Sequence, residues 1–325
     1  MRGTTSMMNM WKQVVGIFAV AILLTGYAHA QQDAASAAIE FAPGVLTTIP
    51  PQIDPADLTA VHQMVEIAAQ KNLKRTPSLL SETRTLFEMA GNMDVRRNVW
   101  CLEFSFKPLR MLAVDLPQPS GKMQRKLVWY LVYRVRNTGA GLVPQQNDDG
   151  TFTSVEKSMG PQRFIPQFML TNLDRDRTGK PIRKSYMDRV MPTAVEAITR
   201  REMPRGKLLN SVEISEKLLE PEAGRGVDGL WGVATWEDID PEMDFFAIFV
   251  TGLTNAYQWE DRADFAAGSL PGSGRTFTRR VLQLNFWRPG DSYKENETEI
   301  RFGAAPDMAG VYNVREGVAY QWVYR

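Results

Sequence analysis

Five carboxylates fall within eight residues at Glu237-Asp238-Ile239-Asp240-Pro241-Glu242-Met243-Asp244. Oxygen at this density suits a hard cation, since Ca²⁺ takes about six to eight oxygen ligands. Asp238, Asp240 and Glu242 are therefore the metal candidates, and Ca²⁺ is the one cofactor the chain puts forward. The spacing is not that of an EF-hand, whose loop needs glycine at its sixth position. The same run also reads as a solvated acidic turn between two strands.

Glycoside hydrolysis uses two carboxyl groups a set distance apart. Glu103, Glu213 and Glu299 each stand at outward positions of strand-like patterns, but nothing in the sequence brings two of them together. The chain has 2 histidines, His29 and His62. His62 borders an apolar stripe and reads as a half-buried side chain, since one histidine makes no constellation. The single cysteine, Cys101, sits in a strand-like alternation and reads as a packed thiol. It also rules out an intrachain disulfide. No phosphate-binding glycine motif and no G-x-S-x-G elbow is present. No catalytic or cofactor-binding residue is nominated.

Lysine and arginine number 38 against 37 aspartate and glutamate, a formal net charge of +1. That balance does not favour nucleic acid or an anionic membrane as partner. The doublets Arg134 and Arg136, Arg200 and Arg201, and Arg279 and Arg280 are expected on solvated faces or in ion pairs.

Residues 1–30 have the form of a signal peptide. Arg2 and Lys12 precede the apolar run VVGIFAVAILLT at 14–25, and Ala28-His29-Ala30 offers a small-x-small cleavage site. The run is shorter than the roughly 20 residues a membrane span needs, so no span is expected after cleavage; an uncleaved anchor stays open. The implied address is secreted, periplasmic or cell envelope.

The elements that would position any site are mostly strands. In KLVWYLVYRVRN, residues 126–137, Leu127, Trp129, Leu131, Tyr133 and Val135 share one face, and Val128, Tyr130 and Val132 share the other. Such alternation in aromatic and β-branched residues predicts a central strand. An upstream strand over 109–116 should pair with it antiparallel through the turn-rich 117–125. Trp100, Leu102, Phe104 and Phe106 alternate with Cys101, Glu103, Ser105 and Lys107 and predict a half-buried strand. Further strands are expected at 164–171, 208–215, 230–236, 245–257, 281–287, 298–302 and 320–324, with a polar loop over 140–161 and a mobile one over 260–278. Pro192 should open a short inserted helix to Arg201, placed to plug one end of the fold. Asp54 and Pro55 should start a helix reaching about Leu73, and a second is expected over 78–90.

The expected fold class is mainly β: an antiparallel immunoglobulin-like β-sandwich with a small N-terminal helical segment and a short inserted helix. Its parts are a signal peptide (1–30), a flexible leader (31–53), a helical segment (54–97) and a β-sandwich domain (98–325). Trp129, Phe104 and Phe249 are expected to meet between the two sheets.

Trp129-Tyr130-x-x-Tyr133-x-Val135-x-Asn137 resembles a motif of immunoglobulin-like sandwich domains in exported bacterial proteins. VWYLVYRVRNTG, then TNLDRDRTGK, then LNFWRPGD is similar, in that order, to a group of secreted proteins of planctomycete-type bacteria. The resemblance covers about two thirds of the chain and implies a fold and an address, with no catalytic residues to carry over. It also implies roles in adhesion, assembly or display. The expected function is that of an exported non-catalytic protein acting through surface contacts, with an envelope protein or a glycan as partner. The alternatives are a carboxylate-based polysaccharide hydrolase and a Ca²⁺-stabilised module.

Overall fold

Period-two patterning becomes strand in a computed structural model, which describes residues 46–62, 93–221, 229–261, 275–289 and 299–325. The chain divides into Met1–Leu46 and a second unit, Thr47–Arg325, and all that follows concerns the second. Its first strands are β1 (Thr47–Ile49), β2 (Thr59–His62), β3 (Met93–Arg96), β4 (Val99–Trp100), β5 (Glu103–Phe106), β6 (Arg110–Pro117) and β7 (Met123–Arg136). Then come β8 (Gly141–Gln146), β9 (Phe152–Glu156), β10 (Gln167–Asn172), β11 (Ser185–Met187), helix α1 (Pro192–Glu202) and the one-turn α2 (Ser211–Ser215). The last strands are β12 (Leu230–Trp236), β13 (Phe245–Thr251), β14 (Tyr257–Asp261), β15 (Arg275–Trp287), β16 (Arg301–Phe302) and β17 (Tyr320–Tyr324). Among the described residues no helix is long and apolar enough to cross a membrane.

The protein is mainly β, with antiparallel sheets and few helices. One sheet runs β1-β5-β7-β12, with β6 also on β7. The other runs β11-β10-β13-β15-β14, with β16 and β17 also on β15. β7 is central as expected: it pairs with β6 from Met123 to Tyr130, with β5 from Tyr133 to Arg136, and with β12 along Trp129–Val135. The two sheets share one apolar core. Phe104 and Tyr133 from the first sheet meet Phe168 from the second, and Trp129 meets Phe246 edge-on at 5.5 Å.

The second face of β7 is dry too. Val128, Tyr130 and Val132 lie under Ala194 and Ile198 of α1. The helix forms where Pro192 predicts it, but it covers a sheet face and does not plug an end. Glu202, its last residue, has a side chain 5% exposed. It accepts from Tyr130 Oη at 2.7 Å and Arg110 Nη1 at 2.8 Å, and pairs with Lys107 Nζ at 3.5 Å. A carboxylate at the negative end of a helix dipole is unfavourable, and these donors offset it.

Several expectations change on contact with the fold. The 103–106 strand is buried on both faces, because Glu103 pairs with Arg136, Ser105 bonds Thr48 and Lys107 reaches Glu202. The helix expected from Asp54 is a single 3-10 turn, Pro55–Leu58, followed by β2 paired to β3. Asp54 does cap that turn, accepting from Ala56 N at 2.9 Å. The end of the leader is strand β1. The polar loop at 140–161 contains the hairpin β8–β9, turned at Gly150 with φ 82°. The strand expected at 208–215 is mostly α2, because Asn210 and Glu213 form a capping box. Phe249 faces away from the shared core; Phe246, Ile248 and Val250 take the inner face. The signal peptide, most of the leader, the rest of the first helix, the helix at 78–90 and most of the mobile loop lie outside the described residues.

Candidate functional site

The acidic loop joins β12 to β13, and two of its carboxylates are met by cations from elsewhere in the fold. Lys126 Nζ bonds Glu237 and Asp238, each at 3.0 Å, and Arg189 also bonds Glu237. Asp240 Oδ1 accepts from Glu242 N at 3.1 Å, an ordinary turn contact. Asp238 holds a left-handed φ of 57° with its side chain 69% exposed. The oxygens of Asp238, Asp240 and Glu242 do not converge: among the described residues no group of three or more His, Cys, Asp or Glu side chains could hold a metal ion. Lys126 instead supplies a cation to Glu237 and Asp238.

The three hydrolase carboxylates each have a local partner. Glu103 takes Arg136 in a two-point contact at 2.7 and 3.0 Å. Glu213 bonds Lys207 and Asn210 N, and Glu299 bonds Arg301. His62 lies in β2. Cys101 is 1% exposed, and burial pushes its thiol up to about 11, so it is a packed thiol and not a nucleophile at neutral pH. In the doublets, Arg136 pairs with Glu103, Arg200 with Glu196, and Arg280 with the buried Asp57.

A different arrangement stands out on the outer face of the larger sheet. Alternation along β10, β13 and β15 sends Thr171, Phe249 and Gln283 to that face, while their neighbours Leu170, Ile248, Val250, Leu282 and Leu284 enter the shared core. Phe249 pairs with Gln283 across β13 and β15, and Gln283 with Gln321 across β15 and β17. Arg325 follows directly after β17 and is registered by paired backbone bonds to Arg279, at 2.8 and 3.0 Å.

Two turns wall this face into a recess of about 550 Å³. One is the hairpin between β10 and β11. Asp176 Oδ1 accepts from Thr178 N, Thr178 Oγ1 and Lys180 N, and Gly179 supplies φ 82°. Asp174 accepts from the backbone of Phe245 and Asp244; burial raises its carboxyl pKa. Arg183 is held at φ 49° between the ladder bonds Asn172 N to Lys184 O and Ile182 N to Asp174 O. The other wall is the 3-10 turn Ala309–Val311 with Tyr312 and Asn313. Gln283 donates to Tyr312 O at 3.0 Å, and Tyr312 Oη donates to Phe286 O at 2.9 Å. These buried bonds fix the turn on the sheet.

The recess is cationic. Arg175, Arg183 and Arg325 line it, and no Asp or Glu side chain does. Arg175 donates to Gly179 O at 2.9 Å. The guanidinium of Arg325 lies over the Phe249 ring. All three arginines are exposed, yet partial desolvation of the Arg325 guanidinium and, after it, the charge of Arg183 pull its pKa below the usual guanidinium value. Among the described residues none of the three makes a salt bridge, unlike Arg110, Arg136, Arg189 and Arg280. Guanidinium groups in this setting bind oxyanions through paired N–H donors.

None of these residues was nominated from the sequence. The nearest signal is the run Asn172-Leu173-Asp174-Arg175-Asp176-Arg177-Thr178-Gly179, whose composition predicts a charged turn but is silent on what it faces. No protein-family model, curated protein or solved structure matches the chain.

Proposed function

We propose that the protein is exported and non-catalytic, an immunoglobulin-like β-sandwich that acts through surface contacts in the periplasm or cell envelope, with the arginine-lined recess as its contact site. The carrying observation is that Arg175, Arg183 and Arg325 border one recess that no Asp or Glu side chain lines. Support for the address is the charged, apolar and small-residue succession of residues 1–30 and the resemblance to planctomycete-type secreted proteins. Support for the sandwich is the core shared between two antiparallel sheets. The carboxylates proposed for hydrolysis are held in local ion pairs or caps.

The test is recovery of partners from envelope extract on immobilised protein, with the double variant Arg183→Gln, Arg325→Gln run beside it. A partner retained by the wild type and lost by the variant supports the reading. Recovery that ignores the variant, or turnover of a glycan panel by the purified protein, overturns it.

A further inference from the structure

We infer that the recess recognises a phosphomonoester carried on a small apolar body. This rests on the recess being the contact site. Its volume of about 550 Å³ lies within the roughly 300–1,000 Å³ of small-molecule sites.

The charge pattern selects the ligand's head. Arg183 and Arg325 line the same recess. A dianion placed between them gains about twice the Coulomb attraction of a monoanion. Three terminal phosphate oxygens also provide acceptors for two guanidinium forks, whereas the two oxygens of a carboxylate fill one fork. Arg325 is placed for this: its guanidinium carbon lies over the Phe249 ring, a cation–π contact that favours this position.

The lining selects the body. Leu173, Pro181, Phe249 and Val311 give the recess apolar surface beside the arginines. Gln283 spends its amide on Tyr312 and Asn285, so it adds no strong demand for a polar ligand. Inorganic phosphate would meet the cations and leave this apolar surface wet.

Calorimetry on the purified protein at low salt tests the inference with four probes: phenyl phosphate, inorganic phosphate, benzoate and phenol. Phenyl phosphate is expected to bind most tightly, and phenol not at all. Arg183→Gln or Arg325→Gln should each weaken phenyl phosphate by ~10-fold or more, the usual loss for a hydrogen bond to a charged group. Arg325→Lys keeps the charge but not the fork and should fall between. Circular dichroism melts confirm that each variant is folded. Benzoate binding as tightly as phenyl phosphate, or phenyl phosphate binding unaffected by both glutamine variants, overturns the inference. If no anion binds but partner recovery still requires Arg183 and Arg325, the ligand class is wrong and the contact site stands. If neither holds, both fall.

Discussion

The guanidinium carbon of Arg325 lies 4.1 Å from the centroid of the Phe249 ring, and Phe249 is 8% exposed although it sits on the outer face of its sheet. An apolar ring on that face is kept dry by Leu173, Val281 and Val323 beside it and by a cation over it. The same contact places the cation. Phe249→Leu should therefore leave the fold intact and weaken phenyl phosphate by about threefold, in line with a cation–π contact of roughly 0.5–1 kcal/mol. Calorimetry of this variant beside Arg325→Gln checks it; an unchanged affinity would mean that the contact does not place the arginine.

Glu202 fastens α1 to the smaller sheet, and its titration should be visible in stability. Burial alone would raise its pKa, but the Tyr130 hydrogen bond and the charges of Arg110 and Lys107 leave it lowered. A lowered folded pKa gives stability that is present above the unfolded value of about 4.3 and lost as pH falls through the folded one. Asp174 and Asp244, raised by burial, act with the opposite sign. Glu202→Gln removes the carboxylate from Lys107 and Arg110 and should cost about 3 kcal/mol near neutral pH. The difference from wild type should shrink below about pH 4. Urea unfolding at a series of pH values measures both; a constant difference would place Glu202 outside the acid response.

Tyr133 is fully buried, and its hydroxyl has no hydrogen-bond partner among the described residues. Its ring fills the space beside Gly232, where an added Cβ would lie 2.5 Å from the ring and its oxygen. Two opposite effects follow. Tyr133→Phe removes an unsatisfied polar atom and should raise stability by about 1 kcal/mol. Gly232→Ala overfills the same space and should cost about 2 kcal/mol. Thermal melts decide; a loss with Tyr133→Phe would reveal a partner for the hydroxyl.

Cys101 is buried with its thiol pushed up to about 11. A thiol reagent at neutral pH should modify it in the unfolded chain and leave it untouched in the folded one. Fast labelling of folded protein would show that the Cys101 to Thr254 bridge opens readily.

The architecture was legible where one physical signal dominated. KLVWYLVYRVRN alternates cleanly, so β7, its partner β6 and its central place could be derived from pattern alone. Pro192 fixed the start of α1 for the same reason. Two local signals were overridden: alternation at 208–215 yielded to the Asn210–Glu213 capping box, and the Asp54-Pro55 start yielded to strand pairing of β2 with β3. The choice of face in FFAIFV was not legible, because both registers present phenylalanines. The recess was not legible either. Arg183 and Arg325 are 142 positions apart, and their approach depends on the order of strands in the sheet, which no local pattern encodes.

A crystal structure of the protein grown with phenyl phosphate tests the central claim most directly. Phosphate oxygens within hydrogen-bond distance of both Arg183 and Arg325, with the phenyl ring against Leu173 or Val311, are predicted. An empty recess with the ligand bound elsewhere, or a phosphate held by surface lysines alone, would contradict it.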